Sequence, residues 1–120
     1  MLIMKTETLF LQGLNREITF YVGQNSAENF DVIDKGECHD LWFHANEESS
    51  CHVVAIIPKD IINKDKKYII KAGALLCKNN TNKLKNLKNV EFIYTKINNI
   101  EKTTIPGCVS IKKDKKIIII

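Results

Sequence analysis

The chain predicts a single α+β domain, spanning residues 1–120, with a mainly antiparallel sheet and two main helices. Three observations carry that prediction. Strand-like runs with alternating side chains occur in neighbouring pairs, the mark of hairpins. Only two segments switch to helical spacing. The 120 residues, 44% hydrophobic and 27% charged, suffice for one core and lie far from the apolar-poor composition of disordered chains.

Leu9–Leu11 and Glu17–Val22 flank the turn Gly13-Leu14-Asn15 and form a first hairpin. In NSAENFDVIDKG, Ala27, Phe30 and Ile33 recur every three residues. Asn25 or Ser26 caps this helix, Glu28 stands three residues after Asn25, and Gly36 closes the end. Asp40–Ala45 and Cys51–Ile57 are two strands joined by the polar loop NEESS, and Pro58 stops the second. Lys66–Cys77 places Ile69, Ala72, Leu75 and Leu76 on one stripe behind Asp65 as cap, which makes a second helix in spite of Gly73. KNNTNKLKNLKN reads as a loop. The last third returns to strands: VEFIYTKI from Val90, a turn at Pro106-Gly107, CVSI, and KKIIII beyond the tip KKDKK. Both helices are expected on one side of the sheet. Ile117–Ile120 are expected to be covered, because a naked apolar edge invites aggregation.

No run approaches the 18 apolar residues of a membrane span, and MLIMKTETLF has a lysine inside its apolar run and no small-residue cleavage site. The expected compartment is the cytoplasm, with no membrane partner. Cys38, Cys51, Cys77 and Cys108 stand singly, without a Cys-x-x-Cys pair, and read as reduced thiols. No cofactor motif occurs. Charge is lopsided: residues 1–63 carry four basic and ten acidic groups, whereas residues 64–120 carry fourteen lysines and four acids. A basic half is the footprint of a polyanion partner, although solvated lysines give the same count. Arg16 is the sole arginine, so phosphate contacts would fall to lysine point charges.

The run DLWFHANEESSCHVVAIIP concentrates the chemistry. Alternation puts Asp40, Trp42 and His44 on one face of the first strand and Leu41, Phe43 and Ala45 on the other. A symmetric loop Asn46–Ser50 sets Ala45 opposite Cys51, His44 opposite His52 and Trp42 opposite Val54. One face is then apolar and the other mixed. The mixed face admits a metal site, a catalytic base, or a surface on which an indole and imidazoles stack on nucleobases. It also admits plain packing, with Trp42 in the core and the histidines satisfied by backbone or by each other.

In YVGQNSAENFDVI, HDLWFHANEESSCHVV, IIKAGALL, and VEFIYTKINNIEK followed by IPGCV, the sequence resembles the NFACT-R domain of ribosome quality control tailing factors and of small stand-alone proteins. The matching segments run in order from about Ile18 to Val109. The resemblance implies an RNA-binding module, associated in larger relatives with the ribosome and tRNA, without enzymatic activity of its own. It places Gly23, Asn25, Asp40, Trp42, His44 and His52 at the nucleic-acid face and Gly107 at a late turn. Two departures stand out. Gln24 replaces the family's arginine, and Ser50-Cys51 replaces Gly-Ser. Lys71 and Lys102 are further candidate phosphate contacts. The expected partner is tRNA, ribosomal RNA or a ribosomal surface, with single-stranded or duplex DNA also open. Two alternatives are a small metal-dependent hydrolase using Asp40, His44 and His52, and a protein-interaction adaptor whose acidic half meets a basic partner.

Overall fold

The computed structural model describes residues 4–120, so the start of the N-terminal apolar run lies outside the described residues. The elements follow as β1 (Lys5–Leu11), β2 (Arg16–Gly23), α1 (Ser26–Lys35), β3 (Leu41–Ala45), β4 (His52–Ala55), α2 (Lys66–Asn79), β5 (Glu91–Lys96), β6 (Ile100–Lys102), β7 (Val109–Ile111) and β8 (Lys116–Ile119). Six strands pair antiparallel in the order β1-β2-β4-β3-β5-β8, and β6 and β7 form a separate two-stranded ribbon. The α+β architecture with two helices is therefore the one the periodicities predict.

The first hairpin turns through Asn15, whose φ of 53° is tolerated by a short polar side chain. β1 begins four residues earlier than predicted, because its polar Lys5–Thr8 segment pairs with β2 at the sheet edge, where backbone bonding rather than burial defines the strand. The centre of the sheet is apolar on both sides. Phe20, Val22, Leu41, Phe43, Val53 and Ala55 point one way and pack under Ile69, Ala74 and Cys77 of α2. Trp42, Val54 and Ile93 point the other way and are covered by Val32 of α1 and by Ile100, Val109 and Ile111 of β6 and β7. The helices thus lie on opposite faces, not on one side as expected. Two apolar faces each need a cover, and a helix on one side would leave Trp42 and Val54 wet.

α2 differs from expectation in two details. Asp65 makes no side-chain cap bond; a 3-10 turn, Asn63–Asp65, leads into the helix instead. The buried stripe is Ile69, Gly73, Ala74 and Cys77, and Gly73 rests against the ring of Phe43, which leaves no room for a Cβ. The predicted stripe was displaced because it favoured large apolar residues where the contact demands a small one. Leu84, in the loop that follows, is fully buried. β8 lies at the sheet edge, so its apolar tail is covered on one side only. Ile118 and Ile120 pack on the core while Ile117 and Ile119 are exposed.

Gly73→Ala should lower stability by about 1–3 kcal/mol through overpacking, against a helix-propensity gain of about 1 kcal/mol. Urea denaturation checks the sign, and a higher midpoint would show that the Phe43 ring yields.

Candidate nucleic-acid interface

The site begins where β2 ends and α1 starts. Asn25 caps α1: its Oδ1 accepts the Glu28 N–H at 3.0 Å and its carbonyl accepts the Asn29 N–H at 2.8 Å. Glu28, largely buried, reaches back so that its Oε1 accepts the Gln24 N–H at 3.0 Å. Gly23 permits this tight entry, since a Cβ there would lie 2.8 Å from the Glu28 carbonyl oxygen and 2.8 Å from Asn29 Oδ1. Gly107, at φ 79°, brings the turn after β6 against the first residue of α1; a Cβ would stand 2.8 Å from Ser26 Cα. Gly23 and Gly107 thus fix both flanks of one helix N-terminus.

Strand pairing carries the site across the sheet. Gly23 pairs with His52, and Trp42 pairs with Val54 in the predicted register, which sets His44 opposite His52. The two imidazole centroids lie 4.7 Å apart at 83°. The indole of Trp42 is stacked on His44, 5.6 Å away and 7° from parallel, and its Nε1–H donates to His52 Nδ1 at 3.1 Å. That bond requires an unprotonated Nδ1, so His52 carries its proton on Nε2. His44 Nδ1–H donates to the Ala45 carbonyl at 2.7 Å, which leaves its Nε2 as an acceptor. No described residue bonds either Nε2.

Burial sets the electrostatics. It pushes His52 down to about 3, with neighbouring His44 adding to the effect. Burial also lowers His44, opposed by its bond to the Ala45 carbonyl and reinforced by the charge of Lys83. Both rings are neutral near pH 7. Lys83 was not singled out from the sequence. It projects from the loop after α2 and donates to Ser49 Oγ at 2.8 Å, a relation that only the tertiary fold reveals.

The remaining candidates separate from this row. Trp42 is 2% exposed, so its ring has no free face for a base and serves to hold the histidines. Asp40 is equally buried; its Oδ2 accepts the Glu37 N–H at 2.7 Å and its Oδ1 the Ile57 N–H at 2.8 Å, anchoring the start of β3. The structure thus places Asp40, expected at the nucleic-acid face, inside the fold, where a carboxylate bonded to two backbone donors positions the strand. Lys102 lies over the Phe30 ring and bonds Asp34 at 2.7 Å, on the α1 side. Lys71 is exposed on α2, across the sheet from the histidines. Of the three residues in the hydrolase alternative, Asp40 is bonded to two backbone N–H groups, and among the described residues no group of three His, Cys, Asp or Glu is placed to hold a metal ion.

A family model described as the NFACT protein RNA binding domain matches residues 9–113. Coiled-coil domain-containing protein 25 of Danio rerio is 35% identical over 86 residues, which are 71% of this chain and 42% of that protein. The Bos taurus protein of the same name is 34% identical over 95 residues, covering 71% of this chain and 41% of the relative. The Dictyostelium discoideum homolog is 31% identical over 96 residues, covering 79% and 47%. The chain thus spans less than half the length of these relatives. Among solved structures, the C-terminal region of the fibronectin/fibrinogen-binding protein from Streptococcus suis superposes with a TM-score of 0.77 over 97% of this chain and 45% of that one. At 22% identity it shows a shared fold.

Unfolding returns the His52 ring to about 6.5, so between about 3 and 6.5 the unfolded chain holds the extra proton. Stability should fall as pH is lowered through that window and level off below it. Between pH 7.5 and 5.0 the wild type should lose about 2 kcal/mol more than His52→Gln in urea denaturation. Equal pH slopes for the two chains would refute the neutral, buried His52.

Proposed function

Since the chain belongs to the NFACT RNA-binding domain family, we propose that it is a cytoplasmic module that binds structured RNA, either tRNA or a ribosomal surface, and performs no chemistry of its own. The observation that carries this reading is the convergence of the family-like motifs on one surface: the α1 N-terminus at Asn25, Gly23 beside it, then His52 and His44 along one row of the sheet. A helix N-terminus offers unpaired backbone N–H groups to phosphate. His44, half-buried, offers an acceptor nitrogen at the rim. Shape and the histidine edge would supply selectivity, and lysines most of the affinity. Translation and ribosome quality control are the processes this partner class implies. The free cysteines support a reducing compartment, and no helix among the described residues is long and apolar enough to cross a membrane.

Gln24, where relatives of this kind would carry arginine, directs its backbone N–H to Glu28, so this module has one fewer cation at the helix entry than the motif provides. Binding should consequently depend on the surrounding lysines and weaken with salt.

Fluorescence anisotropy with labelled tRNA, a single-stranded RNA and a DNA duplex tests the reading. If about four phosphates are neutralised, affinity should drop about 100-fold between 50 and 200 mM salt. His44→Ala should weaken tRNA binding about tenfold with the fold intact, whereas Trp42→Ala would cost about 3–5 kcal/mol of stability and cannot serve as the probe. Salt-independent affinity, or equal binding to all three nucleic acids, would reject the proposal.

A further inference from the structure

A cleft of about 700 Å³ opens on the α2 side of the sheet, away from the histidine row. Three elements wall it: the start of α2 with Lys66, the end of β5 with Tyr94 and Lys96, and the turn into β8 with Lys113 and Lys116. Leu41 and Ile70 give it an apolar floor. Asp114 is the single acidic residue in the lining, so the side chains around the opening carry an excess of positive charge. Among the described residues none of the four lysines is held in an ion pair, in contrast to Lys5, Lys83, Lys102 and Lys112.

The arrangement suits a chain of phosphates better than one small anion. Four cations spread over a cleft of this size exceed what a single phosphate can neutralise, and a phenol ring beside them provides an aromatic surface for a base or ribose. Register connects the cleft to the other face. Tyr94 pairs with Phe43 on one side and Lys116 on the other, so this row points to α2. The neighbouring row, His44, Ile93 and Ile117, points to the opposite face. Both rows end on β8, the open edge of the sheet.

We propose that this cleft is a second RNA site, which holds a single-stranded segment by phosphate contacts with Lys96, Lys113 and Lys116 and by a nucleobase or ribose against Tyr94. It rests on the reading of the chain as an RNA-binding module and extends it: an RNA that engages His44 continues over the β8 edge into the cleft. A single-stranded tail next to a folded element is the substrate class this geometry accepts.

The test compares wild type, Lys96→Gln/Lys113→Gln/Lys116→Gln, and the control Lys59→Gln/Lys85→Gln/Lys88→Gln, which removes the same charge elsewhere. Each binds a labelled twelve-nucleotide oligouridine and tRNA in a salt series, and a 4-thiouridine version of the oligomer is photo-crosslinked and mapped. With about 0.7 counterions released per single-strand phosphate, the cleft triple should lower the slope of log affinity against log salt by about 2. The control should leave the slope near the wild-type value, and crosslinks should map to Tyr94. An unchanged slope in the cleft triple, or an equal drop in the control, overturns the cleft while wild-type RNA binding stands. Failure of wild type to bind either RNA at low salt overturns the general reading and the cleft with it.

Discussion

β4 is the constraint on which the domain is built: a four-residue strand with every side chain buried, bonded to β2 on one edge and β3 on the other. A strand so placed needs an apolar layer on each face, and α2 supplies one while α1 and the β6–β7 ribbon supply the other. Its one polar member, His52, is tolerable there only as a neutral ring with a partner, because a buried cation without compensation is expensive. Trp42 provides that partner from the adjacent strand. The indole therefore has two duties, filling the second core and fixing the tautomer of the imidazole beside it.

Function follows from the same layering. The face that α1 covers is not fully sealed at its end: in the last row, beside the helix start, Gly23 and His52 are buried and His44 is half-exposed. The other face is sealed by α2 in the middle and opens at the helix start, where the lysines gather. Polar chemistry thus collects at the two margins where a helix stops covering the sheet. The acidic first half of the chain contributes buried or paired carboxylates such as Glu28, Asp40 and Asp34, and the basic second half contributes the cleft lysines, which are in no ion pair among the described residues.

Local chemistry made part of this legible in the residues themselves. The β3–β4 register could be read from a symmetric loop because Ser50 Oγ closes it onto the Ala45 N–H at 3.0 Å, which pins the pairing that symmetry suggests. The α1 cap was legible because capping is a three-residue affair. The side taken by each helix was not, since alternation tells which residues share a face but not which segment covers it. β6 escaped notice because three residues with two exposed carry no periodic signal and are held by their partner β7. At the candidate site, His44 and His52 were visible as types and spacing, whereas the burial of Asp40 and the approach of Lys83 depend on contacts 17 and 34 residues distant in sequence. The cleft lysines were hidden in a composition that scatters lysine throughout the second half.

The contact between Gly73 and Phe43 reaches beyond this one chain. It sets how closely α2 approaches the sheet, and it does so by sharing a fixed volume between two positions far apart in sequence. Within the family, a larger residue at the helical position should be accompanied by a smaller one at the strand position. Evolution can thus change either residue only by a coordinated exchange, and this pair should covary more strongly than the surface lysines, each of which can drift alone.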